Sequence, residues 1–204
     1  MVNILRVRSD WTGFVGAPGY TVMHFRDFNT GTGGGTDGDA AQALAAATRV
    51  RTFFDAVKAF LPTSVRVSVS PEVDLLEDTT GELVNSFTIA SPTAVQGTGT
   101  GGYAGPQGAV INWRTAGIRN GRRIRGRTFL VPCVSSIFGV DGQIVAGSRA
   151  TLVTAAAALA DNAGTPDLGV YARPSGPGAT DGKWSVVTAS TVPSLAAVLR
   201  SRRD

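Results

Sequence analysis

Between Leu83 and Val140 the sequence contains no Asp or Glu. Elsewhere the shortages are of individual residue types: one cysteine, Cys133, one histidine, His24, and two lysines, Lys58 and Lys183, in 204 residues. A lone cysteine excludes an intrachain disulfide and any cysteine-based zinc cluster. A single imidazole means that a Ser-His-Asp or Cys-His arrangement would have to use His24, and that a metal site would need carboxylate help. His24 alternates with Met23 and Phe25 in a β-prone run, which reads as a structural or partly exposed histidine. Cys133 follows Phe129–Pro132 and reads as a small buried hydrophobe. The carboxylates between Glu72 and Asp78 lack the Asp-x-Asp-x-Asp-Gly order of a calcium loop. The expectation is therefore no enzyme, no metal and no cofactor.

Long apolar runs are missing too. The opening MVNILRVRSDW has no apolar core of the signal-peptide type, and no stretch approaches the roughly 18–20 apolar residues that cross a bilayer. We expect a soluble product without membrane contact. Charged residues make up only 17% against 43% hydrophobic, with a formal net charge of +4, which excludes a largely disordered chain. So low a charge density suggests that neighbouring molecules cover part of the surface. A chain of this length can bury a large core, and residues 1–204 are expected to form a single domain.

What is present is organised around Gln107–Pro132, which holds six arginines and no acid. Asn120-Gly121 sits between two β-prone runs, and an Asn-Gly pair tolerates the positive φ of a two-residue hairpin turn. Val110–Thr115 and Arg122–Val131 are thus expected to form a β-ribbon. In an extended strand alternate side chains share a face, which puts Arg123, Arg125 and Arg127 in one row. With Arg114, Arg119 and Arg122 they form the candidate contact for a neighbouring subunit or nucleic acid. The competing reading is a solvated hairpin tip.

A second hairpin is expected from Glu72–Glu77 and Glu82–Ile89. It concentrates Glu72, Asp74, Glu77, Asp78 and Glu82, the candidate acidic interface. One basic and one acidic hairpin suit head-to-tail contact between identical subunits, although the two could equally pair within one chain.

The remaining elements follow from periodicity and breakers. Asp39 can cap a long helix that Pro62 stops, with Leu44, Ala47, Val50, Phe54, Val57 and Leu61 as its core stripe. Ser148 can cap an alanine-rich helix through about Ala160, with Leu152 and Leu159 inward. Asn3–Arg8, Tyr20–Phe28, Val65–Val69, Leu168–Arg173 and Lys183–Thr188 read as strands. Trp11–Gly19 reads as a loop, Thr30–Gly38 as a glycine-threonine connector without P-loop spacing, and Ser91–Gly108 as a long arm anchored by Tyr103. The fold class is α+β, a β-rich sheet or sandwich with one long amphipathic helix and a second, Ala-rich one.

The patterns WTGFVGAPGYTVMHF, NWRTAGIRNGRRIRGRTFLVP and VPSLAAVLRSRRD together resemble a group of uncharacterised viral proteins of about this length, from phages and small viruses with high-GC hosts. The resemblance spans most of the chain, and no residue role carries over with it. It implies a virion structural protein, made in the host cytoplasm and assembled with itself, most simply a coat or capsid-associated subunit. A tail-tube or tail-terminator protein, and a non-specific nucleic-acid-binding protein, are the alternatives. Packaged nucleic acid is then a candidate partner.

Overall fold

The structure is a computed structural model that describes residues 3–13, 19–26, 39–77, 80–90, 92–101, 103–114, 118–119, 122–123, 128–139, 145–159, 167–173 and 185–188. The Thr30–Gly38 connector and the C-terminal VPSLAAVLRSRRD pattern lie outside the described residues. The architecture is α+β and β-rich: among the described residues there are two larger antiparallel sheets, a separate two-stranded hairpin and two α-helices.

The first sheet has the order β2-β1-β3-β4, with β1 at Asn3–Thr12, β2 at Gly19–Arg26, β3 at Arg66–Glu77 and β4 at Leu83–Thr88. The short β5, Val95–Gln96, pairs with the start of β3. Register puts Leu5, Val7, Ser9 and Trp11 of β1 beside Phe25, Met23, Thr21 and Gly19 of β2 and beside Leu75, Val73, Val69 and Val67 of β3. That alternation makes one face apolar, and helix α1, Ala40–Ala56, packs on it.

Two strands differ from the reading of the sequence. Trp11, expected in a loop, continues β1, because its ring edge meets Phe54 of α1 at 5.0 Å between centroids and its indole N–H donates to the buried Thr21 hydroxyl at 3.0 Å. Pro71 does not divide β3. The register shift leaves Ser70, Pro71 and Glu72 opposite Arg8 alone, and a proline at such a bulge removes no ladder bond.

The start of α1 is as expected. The Asp39 carboxylate accepts from the Gln42 N–H at 2.8 Å while the Gln42 side chain reaches back to the Asp39 N–H, a reciprocal cap. Its end differs: α1 stops at Ala56 and a 3-10 turn, Lys58–Phe60, leads to Leu61. The buried stripe runs through Ala43, Ala46, Ala47, Val50, Phe53 and Phe54, so Leu44, expected inward, is 41% exposed. Alanines let the helix sit close to the sheet, and the two phenylalanines rotate the contact face away from Leu44.

The second sheet has the order β11-β10-β6-β9, with β6 at Tyr103–Arg114, β9 at Thr128–Val134, β10 at Asp167–Arg173 and β11 at Ser185–Thr188. Helix α2, Ala146–Leu159, packs on α1 and also meets β10 and β11. It begins two residues before Ser148, which is therefore inside the helix and not its cap. Leu152 is buried as expected. Cys133 and Val134 at the end of β9, and Ile137 just after it, enter the same apolar cluster as α1 and the first sheet.

Ser91–Gly108 differs most from expectation. Instead of a long arm, its described residues contain β5 and the beginning of β6. Gly97 N–H donates to Val65 O, Thr98 N–H to Lys58 O and Gly99 N–H to Leu61 O, all within 2.8–2.9 Å. Gly97 and Gly99 permit this close backbone approach. A Cβ at Gly97 would lie 2.1 Å from the Pro62 carbonyl oxygen.

Candidate interaction surfaces

Two parts of the arginine-rich segment are described, one in the second sheet and one in a two-stranded hairpin. β6 and β9 pair from Gly108↔Pro132 to Asn112↔Thr128, and β6 pairs on its other side with β10, ending at Arg114↔Asp167. Beyond this lies a separate hairpin, β7 (Ile118–Arg119) with β8 (Arg122–Arg123), in the register Ile118↔Arg123 and Arg119↔Arg122. Only two residues separate Arg119 from Arg122, as the Asn-Gly pair requires. Arg125 and Arg127 lie outside the described residues, as does the expected row that they form with Arg123.

Of the six candidate arginine positions, the register sets 119 opposite 122 and 123 opposite Ile118 in the two-stranded hairpin, while 114 stands at the end of β6 in the second sheet. It also supplies a residue that the sequence reading missed. Asp167 stands opposite Arg114 across β6 and β10, and nothing short of that pairing connects positions 53 apart.

The acidic hairpin belongs to the other sheet. β3 and β4 pair from Glu72↔Thr88 to Leu76↔Leu83. Asp74 already has partners in its own chain: Arg6 donates to its Oδ2 from Nε at 2.9 Å and from Nη2 at 2.5 Å, and the Ser86 hydroxyl donates to Oδ1 at 3.1 Å. The Glu77 carboxylate accepts from the Thr80 hydroxyl at 2.7 Å. Glu72 and Glu82 are exposed, and Asp78 lies outside the described residues. Alongside, Arg8 pairs with Asp10 at 2.7 Å and lies 4.9 Å from the centroid of the Tyr20 ring. This face of the first sheet is thus supplied with internal ion pairs, each worth at most about 1 kcal/mol because its members are partly solvated.

β4 carries a surface that the sequence reading did not identify. It is the edge strand of the first sheet, Leu83 is 59% and Val84 56% exposed, and no charge occurs from Leu83 to Thr88. Edge strands in monomers are commonly blunted by lysine, proline or bulges. Here the register shift between Leu75 and Leu76 makes Val84 a bulge, and the Asn85 side chain accepts from the Ser86 N–H at 2.9 Å. Those two features obstruct simple strand addition. They leave two apolar side chains in water, directly after the exposed Glu82.

His24 is half-buried in β2 in register with Arg6, Cys133 is buried, and among the described residues no group of three or more His, Cys, Asp or Glu side chains could hold a metal ion. No helix among them is long and apolar enough to cross a membrane. In comparisons with known proteins, no family model, no curated protein and no solved structure matches the chain.

Proposed function

We propose that the chain is a self-assembling structural subunit of a phage-type virion, a coat or capsid-associated protein without catalytic activity, and that β4 is one of its contacts. The observation that carries this reading is the uncharged edge strand with Leu83 and Val84 in water. Burying each of them in a subunit contact contributes about 1.5–3 kcal/mol, and a repeating contact multiplies that around a closed assembly. The arginine ribbon is the second contact arm, and the resemblance of the sequence to viral structural proteins supplies the virion setting.

A tail-tube or tail-terminator role is the second reading. It is favoured by the two different ends of the first sheet, β2 and β4: a contact between unlike edges is head-to-tail, and such contacts close into rings when the rotation allows.

The double variant Leu83→Asp/Val84→Asp tests the contact. Both side chains are exposed, so the fold and its circular dichroism are expected to survive. Light scattering coupled to size exclusion is expected to show the loss of large species in favour of monomer. Particles of unchanged size and amount would remove β4 from the assembly.

A further inference from the structure

We infer that the β7–β8 tip is a phosphate clamp that grips a nucleic-acid backbone, through Arg119 and Arg122 placed opposite one another and Arg123 beside them. The inference deepens the preceding reading by naming the ribbon's partner, and it rests on that reading only in treating the ribbon as a contact arm. The register is the starting point. Arg119 and Arg122 are direct cross-strand partners flanking a two-residue connection, and opposed positions in an antiparallel pair have Cα atoms about 4.5–5.5 Å apart.

Like charges placed directly opposite destabilise a strand pair. A hairpin with two residues on each strand has little of its own to offset that repulsion. No acid occurs within this stretch from Leu83 to Val140, so the counter-charge must come from outside it. An anion held between the two positions turns the repulsion into a binding site. Guanidinium suits phosphate in particular, because its planar fork donates two parallel hydrogen bonds to two oxygens.

The placement of the acids argues against the obvious protein partner. Asp167 is in register with Arg114 of the second sheet and not with Arg119, Arg122 or Arg123. On the acidic hairpin, Asp74 is engaged by Arg6 and Ser86 and Glu77 by Thr80. A neighbour's acidic hairpin could offer the tip Glu72 and Glu82, which stand at opposite ends of the β3–β4 pairing. A nucleic-acid backbone offers phosphates continuously, and a two-stranded ribbon fits a major groove about 12 Å wide. The contact is to the backbone, so it carries no sequence preference.

The test uses the full chain with fluorescently labelled random-sequence DNA duplex and RNA of matching length, titrated between about 50 and about 200 mM salt. Light scattering is recorded on the same samples. Wild-type protein is expected to bind either probe with an affinity that falls steeply with salt. The triple variant Arg119→Ala/Arg122→Ala/Arg123→Ala is expected to bind about tenfold or more weakly, with the log–log salt slope reduced by about 2–3. The corresponding triple Lys variant keeps the charge, should retain most of the slope, and decides the matter if the Ala variant does not fold.

Binding by wild type that is absent or insensitive to salt overturns the clamp, as does undiminished binding by the Ala variant. Loss of particles in the Ala variant, with no nucleic-acid binding by wild type, would assign the tip to a neighbouring subunit instead. A wild-type protein that binds the probes yet forms no particles would refute the assembly reading and leave the clamp standing.

Discussion

Gly13→Ala is expected to cost about 2–5 kcal/mol of stability. Gly13 follows β1 with φ +75°, and an ideal Cβ built there would lie 1.7 Å from the Ser64 carbonyl oxygen and 2.7 Å from its carbon. Those are backbone atoms in the segment that leads into β3, so no side-chain rotation relieves the clash. The left-handed conformation adds about 1–2 kcal/mol for any residue with a Cβ, and forced backbone movement about 1–3 kcal/mol or more. The sum is a large share of the roughly 5–15 kcal/mol that holds a domain folded. Gly81 provides the control, since it has the same φ but open space around it. Urea denaturation should show Gly81→Ala losing only about 1 kcal/mol. Equal losses at the two positions would mean that Gly13 is not pressed against residue 64.

Phe54→Ala is the second large effect, a loss of about 3–5 kcal/mol. Phe54 is fully buried, meets Trp11 edge-on at 5.0 Å and Phe53 at 5.2 Å, and lies on the stripe of α1 that faces the first sheet. Removing the ring leaves a cavity where helix and sheet meet, and alanines at 43, 46 and 47 are too small to fill it by shifting. Thermal and urea melts should agree on the loss. A cost below about 1 kcal/mol would contradict the packing of α1 on that face.

How far the sequence announced these features depended on the kind of force involved. Local chemistry was legible. Asp39 and Gln42 cap α1, and the Asn120-Gly121 pair brackets the Arg119↔Arg122 register. Cys133 is buried. These outcomes depend on a few neighbouring residues.

Long-range decisions were harder to read. Val65–Val69 and Glu72–Glu77 read as two separate strands until a bulge opposite Arg8 joins them into one. Leu44 reads as core until Phe53 and Phe54 set the angle of the helix. Ser91–Gly108 reads as an arm because the purpose of Gly97 and Gly99, close approach to Leu61, Pro62 and Val65, lies more than thirty residues away.

The candidate surfaces divide along the same line. Composition alone picked out the arginines, and the hairpin turn placed Arg119 and Arg122. The pairing of Asp74 with Arg6 and the opposition of Asp167 to Arg114 required the sheets. Exposure of Leu83 and Val84 could not be read from a run, LVNSFT, that also suits a buried strand. It follows from β4 being last in the order β2-β1-β3-β4.

Self-assembly is the central claim, and electron microscopy of the negatively stained, purified protein at low and high salt tests it most directly. Absorbance at 260 and 280 nm is read on the same fractions. The proposal predicts closed shells, or rings and tubes if the tail reading is right, with nucleic acid retained at low salt and shed at high salt. A uniformly small species at both salt concentrations, free of nucleic acid, would contradict it.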